Sequence, residues 1–91
     1  MAISFSAHGK QQMVLRGAAE EEVKEVVEHG TKEPALRGRF KARLTFDFNQ
    51  ESPVNGKIYR FKTVEVIWAE ELDEVIVVTV LVYYSNTEAT P

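Results

Sequence analysis

A run of alternating apolar and polar residues from Leu36 to Phe48 constrains the fold more than any other feature of the sequence. The even positions of this run carry Leu36, Gly38, Phe40, Ala42, Leu44, Phe46 and Phe48. Arginine, lysine, threonine and aspartate occupy the odd positions between them. Because successive side chains of a strand point to opposite faces of a sheet, this period of two predicts a long strand with one apolar and one polar face.

Two further strands are predicted after a connection at residues 49–56, which contains the turn-forming pair Asn55-Gly56. The first strand runs from about Lys57 to Trp68, and its irregular alternation indicates a bulge near Thr63. The second runs from Glu74 to Tyr84 and is apolar on both faces. Short connections make consecutive strands antiparallel.

The residues before Pro34 follow the period of helices. Ser6 is suited to cap a helix from about Ala7 to Leu15, which Gly17 would end. A second helix is predicted from about Ala19 to His29, because its valines recur at the spacing of one helical face. Helices followed by strands predict an α+β fold, with two N-terminal helices packed on a three- to four-stranded antiparallel sheet.

The size and composition of the chain limit its organisation. Its 91 residues predict a single domain over 1–91, with helices at about 7–29, the sheet at about 35–84 and a frayed tail at 85–91. The chain has no cysteine, which excludes disulfides and thiol catalysis. No apolar run approaches the roughly 20 residues of a membrane-spanning helix. We therefore expect a cytoplasmic protein that does not contact a membrane.

Four cations occupy alternate positions at the start of the long strand. They are Arg37, Arg39, Lys41 and Arg43. On one strand face such side chains are about 6.8 Å apart, a spacing comparable to that of phosphates along a nucleic-acid strand. Arg60 and Lys62 on the next strand would widen the row. We expect this row to bind RNA or a partner protein. The alternative is a solvated face, or one paired with acidic residues of the second helix or of another subunit. The formal net charge of −3 counts against a general nucleic-acid binder.

Polar residues of the first helix form a candidate catalytic edge. His8, Gln12 and Arg16 follow one another at intervals of four residues. A histidine beside an arginine is suited to acid–base chemistry on phosphodiesters, and the alternative is a histidine with a structural hydrogen bond. Thr79 and Tyr83 share one face of the last strand, where their hydroxyls would contact a substrate or bond within the core. No metal-binding spacing and no glycine-rich phosphate loop occurs in the sequence, so we expect neither a metal nor a cofactor.

Several of these residues also match a known family. Phe5-Ser6-x-His8, Met13, Arg16-Gly17 and Glu28-x-Gly30 resemble the opening of a prokaryotic domain of unknown function, whose members read S-x-H-A-x-x-R-M-x-x-R-G-I. The last strand, with Thr79 and Tyr83, resembles the ending V-V-T-V-Y of that family. The resemblance covers about residues 3 to 84.

The resemblance implies a fold similar to that of RelE/ParE-type toxins and an activity on RNA. It makes His8, Arg16, Thr79 and Tyr83 the candidate catalytic residues. It also implies a cognate antitoxin-like protein that covers the sheet or the basic row.

One departure from the family pattern affects the expected function. Gln12 stands where the family usually has arginine, so half of the expected histidine–arginine pair is missing. We therefore expect a toxin-like but non-catalytic protein-interaction module. Because the last strand is apolar on both faces, a homodimer or a toxin–antitoxin-like complex would cover it. The alternative is an RNA-binding or RNA-cleaving toxin that uses the basic row and His8, so the sequence leaves open whether the chain is an enzyme.

Overall fold

A computed structural model describes residues 2–87, which form two helices and a five-stranded sheet. The elements in chain order are β1 (Ala2–Phe5), α1 (Ala7–Arg16), α2 (Glu20–His29), β2 (Glu33–Pro34), a short 3₁₀ turn (Leu36–Gly38), β3 (Phe40–Glu51), β4 (Ile58–Glu71) and β5 (Glu74–Ser85). The predicted α+β class with two N-terminal helices is confirmed.

The sheet is larger and more mixed than predicted. Its strand order is β1-β5-β4-β3-β2. β1 pairs parallel to β5, whereas the other neighbouring strands are antiparallel. The prediction of three to four antiparallel strands was therefore wrong in strand number and in direction. A four-residue segment such as β1 carries no local sign that its partner lies about seventy positions further along the chain.

Capping residues and first-turn charges next to the helix ends determine where the two helices begin and end. The backbone N–H of Gly9 donates to Ser6 Oγ at 2.9 Å, which caps α1. Gly17 ends α1 in the left-handed conformation, with φ of 82°. In α2 the first turn contains three glutamates, which suit the positive end of the helix dipole.

Both helices cover the same face of the sheet. Val23 and Val26 of α2 and Met13 of α1 are buried against it. The sheet contributes Ala42, Val64, Val66, Trp68, Val75, Val77 and Val80 to this core. Burial of one such valine stabilises the fold by about 1.5 to 3 kcal/mol.

The opposite face of the sheet, which we call the open face, is not covered by either helix. It carries Lys41, Arg43 and Thr45 of β3, Glu65 and Ile67 of β4, and Thr79, Leu81 and Tyr83 of β5. Thr45 and Thr63 share a hydrogen bond of 2.9 Å on it. Tyr83 is 50% exposed, so the apolar last strand does present an uncovered side.

The long strand begins four residues later than predicted. Arg37 and Gly38 have positive φ angles of 62° and 70°. The N–H of Arg39 donates to the carbonyl of Leu36 at 3.3 Å, so the segment makes a tight hairpin turn between β2 and β3. Arg37 and Arg39 are therefore not strand residues, and the prediction that four cations share one strand face was wrong for these two.

The predicted bulge near Thr63 was also wrong. The alternation of β4 continues through this residue, and the register shift lies between Ile67 and Trp68 in the pairing with β5. As a consequence Lys62 faces the helices and not the open face.

The remaining expectations concern the C-terminal tail and the membrane. Ser85 belongs to β5 and not to the predicted frayed tail, and its hydroxyl donates to the Thr87 carbonyl at 2.8 Å. The rest of that tail, residues 88–91, lies outside the described residues. Between residues 2 and 87, neither helix is long and apolar enough to cross a membrane.

Candidate functional site

An open groove of about 730 Å³ lies on the open face, beside the turn between β2 and β3. We call it the basic groove. It is lined by Pro34, Ala35, Leu36, Arg37, Arg39, Lys41, Glu65, Ile67 and Thr79. It brings together three of the four predicted binding cations and one predicted catalytic residue, Thr79.

The hairpin turn forms one wall of the groove and the sheet forms its floor. Ala35 N–H donates to the Arg39 carbonyl at 2.8 Å, which holds the segment from Pro34 to Arg39 beside the end of β3. Ile67 of β4 and Thr79 of β5 are register partners on the floor. The Leu36 side chain is 88% exposed at the tip of the turn. The wall therefore offers both cations and apolar surface to a ligand.

The cations of this surface are not neutralised within the described part of the chain. The ion pairs among residues 2–87 are Lys62–Glu22 and Lys32–Glu70, and the His29 ring lies 3.9 Å from the Glu28 carboxylate. None of these includes Arg37, Arg39, Lys41 or Arg43. Arg43 lies opposite Glu65 in the register without forming an ion pair, and it extends the positive charge beyond the groove. These side chains remain available to an anionic ligand.

The four predicted catalytic residues are not brought together. His8 is exposed in the first turn of α1. Arg16 lies eight residues further along, about 12 Å along the helix axis, and its Nε donates to Gln12 Oε1 at 2.9 Å. Thr79 and Tyr83 lie on the open face, so the sheet separates them from both α1 residues. No shared reaction centre of the four residues exists in this arrangement.

Lys62 has a different position from the one predicted. It is 5% exposed on the helix-covered face, so it does not widen the basic row. Its Nζ donates to the Gly17 carbonyl at 2.6 Å and lies 2.7 Å from Glu22 Oε1. The same Glu22 oxygen accepts the Ala19 N–H at 2.8 Å. Lys62 therefore fixes the turn between α1 and α2 to β4.

Sequence reasoning overlooked this anchor, although a signal for it exists. Lys62 is in phase with Val64, Val66 and Trp68, and these positions all face the helices. Tyr84 has a related role, because its hydroxyl donates to the Arg16 carbonyl at 3.0 Å. Burial raises the pKa of this tyrosine above its usual value.

Two glycines, one within α1 and one at its end, have structural reasons for their identity. A Cβ atom at Gly9 would collide with the Val77 carbonyl oxygen, so the close approach of α1 to β5 requires glycine there. A Cβ at Gly17 would lie 2.6 Å from Pro53 and 3.1 Å from the Tyr84 hydroxyl. Gly9 and Gly17 therefore determine how closely α1 packs on the sheet.

Comparisons with known proteins give one match. The sequence model of the family described as Domain of unknown function (DUF4258) matches residues 5–82. No curated protein and no solved structure matches the chain significantly. The matched segment runs from the end of β1 into β5 and includes both helices and the basic groove. The chain therefore belongs to the family Domain of unknown function (DUF4258).

Proposed function

We propose that this domain is a non-catalytic protein-interaction module, and that its binding surface is the open face of the sheet with the basic groove. The observation that carries the proposal is the convergence on this groove of apolar surface and of cations that form no ion pair among residues 2–87. By contrast, the candidate acid–base residues His8 and Arg16 lie on the other side of the sheet, away from Thr79 and Tyr83.

The chemistry of the groove favours an acidic segment of a partner protein. Arginine forks bind carboxylates through paired hydrogen bonds, and Arg37 and Arg39 offer two of them. Leu36 and Ile67 provide apolar surface for side chains between the carboxylates. In this proposal the chain keeps the arrangement of a RelE/ParE-type toxin without nuclease activity, and the groove takes an antitoxin-like partner in the cytoplasm.

RNA is the second candidate ligand. It is favoured by four cations without an ion-pair partner in the described part of the chain, and by the exposed ring of Tyr83 on the same face, on which a base would stack. Glu65 on the groove floor and the net charge of −3 oppose phosphate binding. The residues that line the groove also include no aromatic ring. For these reasons we place the protein ligand first.

A titration followed by amide NMR tests the choice between these ligands. Poly-L-glutamate is the model acidic segment and oligouridylate is the model RNA. We expect poly-L-glutamate to shift the amides of Arg37, Arg39, Lys41, Ile67 and Thr79, and the Arg39→Glu/Lys41→Glu variant to lose these shifts. Lys10→Glu/Lys57→Glu is the matched control, because both lysines are exposed and outside the groove.

Expression in cells provides the complementary test. Induction of the wild-type chain should leave total RNA intact, and His8→Ala should change neither growth nor RNA. Tighter binding of oligouridylate than of poly-L-glutamate at the groove would reverse the order of the two candidates. RNA cleavage that is lost in His8→Ala would overturn the non-catalytic proposal.

A further inference from the structure

A second charged surface lies on α2, on the side that faces away from the sheet. Glu21, Glu25 and Glu28 are exposed and lie opposite the buried Val23 and Val26. We call these three glutamates the acidic face. Among the described residues Glu21 and Glu25 form no ion pair, and Glu28 is 3.9 Å from His29.

The acidic face is opposite in sign to the basic groove and the adjacent Arg43, and the charges of the two surfaces have similar spacings. The glutamates follow one another at intervals of four and three residues, about 6.0 and 4.5 Å along the helix. Lys41 and Arg43 are separated by about 6.8 Å along β3. Lys24, which is exposed beside the acidic face, has the opposite sign to Glu65 on the groove floor. Each surface therefore carries the charges that the other lacks.

We propose that the acidic face of one copy of this chain docks in the basic groove of a second copy. The inference deepens the proposed function, since it rests on the groove as the binding surface and names a second copy as one of its partners. Binding of an amphipathic or charged helix in a groove is a common mode of protein recognition.

The position of the two surfaces determines the kind of assembly. α2 packs on one face of the sheet and the groove lies on the other, so the two surfaces point in opposite directions. A docked pair leaves one groove and one acidic face free. The contact is therefore heterologous, and association continues head to tail and does not stop at a closed dimer. Because the contact consists mainly of exposed ion pairs, salt weakens it.

Sedimentation equilibrium with two neutralising variants tests this inference. The groove variant is Arg39→Gln/Lys41→Gln, and the helix variant is Glu21→Gln/Glu25→Gln. At low salt the mass of the wild-type chain should rise with concentration without a plateau at two copies. Each variant alone should associate roughly threefold to thirtyfold more weakly, because each loses two exposed ion pairs.

A mixture of the two variants gives the sharpest result. It contains one intact groove and one intact acidic face, so we expect a one-to-one dimer at concentrations at which neither variant associates alone. Lys10→Gln/Lys57→Gln is the control and should associate as the wild type does. Circular dichroism of each variant should match the wild type, since all the changed side chains are exposed or half-buried.

The outcomes separate this inference from the proposed function. A wild-type chain that remains monomeric at low salt overturns the inference. A wild-type mass that stops at two copies, with the same mass in the groove variant and the helix variant, overturns it too. A mixture that remains monomeric overturns it as well. If poly-L-glutamate still shifts the groove amides in such a case, the groove remains a binding site for another acidic partner.

Discussion

Arg37 adopts a backbone conformation that most residues with a side chain avoid. Its φ of 62° places it in the left-handed region, and it is followed by Gly38 in the same region. Such a conformation costs a residue other than glycine on the order of 1 kcal/mol. A hairpin turn of this kind is normally formed by asparagine, aspartate or glycine. Arg37 therefore contributes a guanidinium to the groove but destabilises the turn.

The substitution Arg37→Gly should separate these two effects. Glycine relieves the left-handed backbone, and we expect the free energy of unfolding to rise by about 0.5 to 1 kcal/mol. Binding of poly-L-glutamate should weaken at the same time, because one guanidinium is lost from the groove. Urea denaturation and the NMR titration measure the two quantities.

Arg39→Gly is the matched control for this prediction. Arg39 has a φ of −90°, which any residue adopts. Glycine there should lower stability, because it adds conformational freedom to the unfolded chain. Equal losses of stability in the two variants would contradict the assignment of strain to Arg37.

Glu70 makes the stability of the fold depend on pH. Its carboxylate accepts a hydrogen bond from the buried Trp68 Nε1 at 3.0 Å and another from Lys32 Nζ at 3.1 Å. The Trp68 bond, followed by the Lys32 bond, lowers the pKa of Glu70 below its usual value of 4.5. A lowered pKa in the folded state stabilises the fold above the pKa of the unfolded chain. This contribution is lost as the pH falls through the folded-state pKa.

The indole proton of Trp68 reports this titration directly by NMR. In the wild type we expect the Trp68 Nε1 proton shift to change with a midpoint below pH 4.5, as Glu70 is protonated. In Lys32→Met the midpoint should move to higher pH, because one donor to the carboxylate is removed. A midpoint that is the same in both proteins would exclude Lys32 as a cause of the lowered pKa.

At the scale of elements, the connection between the two helices is hydrogen-bonded to the sheet. At the end of α1, the carbonyls of Arg16 and Gly17 accept hydrogen bonds from Tyr84 of β5 and Lys62 of β4, respectively. Apolar packing positions α2 across the sheet, while these polar contacts fix the point at which the chain leaves α1. Loss of either donor would therefore leave a backbone carbonyl at the end of α1 without that hydrogen bond.

Substitution of Lys62 measures the strength of this anchor. Lys62→Met keeps the apolar part of the side chain but removes the ammonium from the Gly17 carbonyl and from Glu22, which keeps only the Ala19 N–H as a donor. We expect the free energy of unfolding to fall by about 1 to 3 kcal/mol. A thermal or urea denaturation series gives this value.

The double variant Lys62→Met/Glu22→Gln is the control for the pair. Because the two side chains contact each other, the loss in the double variant should be smaller than the sum of the two single losses. Strict additivity would mean that Lys62 acts through the Gly17 carbonyl alone.

The sequence predicted the elements better than their partners. Ser6 and Gly17 set the ends of α1 through local hydrogen bonds and backbone conformation, so they were readable. The parallel pairing of β1 with β5 depends on residues far apart in the chain, and no local pattern contains it. The sequence alternates apolar and polar residues from Leu36 onward, but its first residues, Leu36–Gly38, form a turn and not a strand.

The candidate site was predictable only where its residues follow a local sequence pattern. Lys41 and Arg43 lie on the open face, as predicted, because this part of the alternating sequence does form strand β3. Arg37 and Arg39 reach the same surface from a turn, which strand spacing does not describe. Thr79 joins them only because β5 lies beside β4 in the sheet. Lys62 faces the core because β4 has no bulge where its mixed pattern indicated one.

The whole molecule is electrically asymmetric. α2 places its glutamates on one side of the sheet, while β3 and the preceding turn place their cations on the other. The net charge of −3 conceals this separation, since the two surfaces largely cancel in the sum. Charge patterns in the sequence therefore describe this domain better than its total charge does.

The parallel pairing of β1 with β5 has a consequence for synthesis in the cell. Ala2 is aligned with Glu74 and Phe5 with Val77. At about 5 to 20 residues per second, ribosomes would need roughly 4 to 14 s to make the chain between these partners. During that interval β1 has no strand to pair with, and Ile3 and Phe5 remain without the core that later covers them. The nascent chain of this protein therefore carries an unpaired apolar segment until β5 has been made, and such segments favour aggregation before folding is complete.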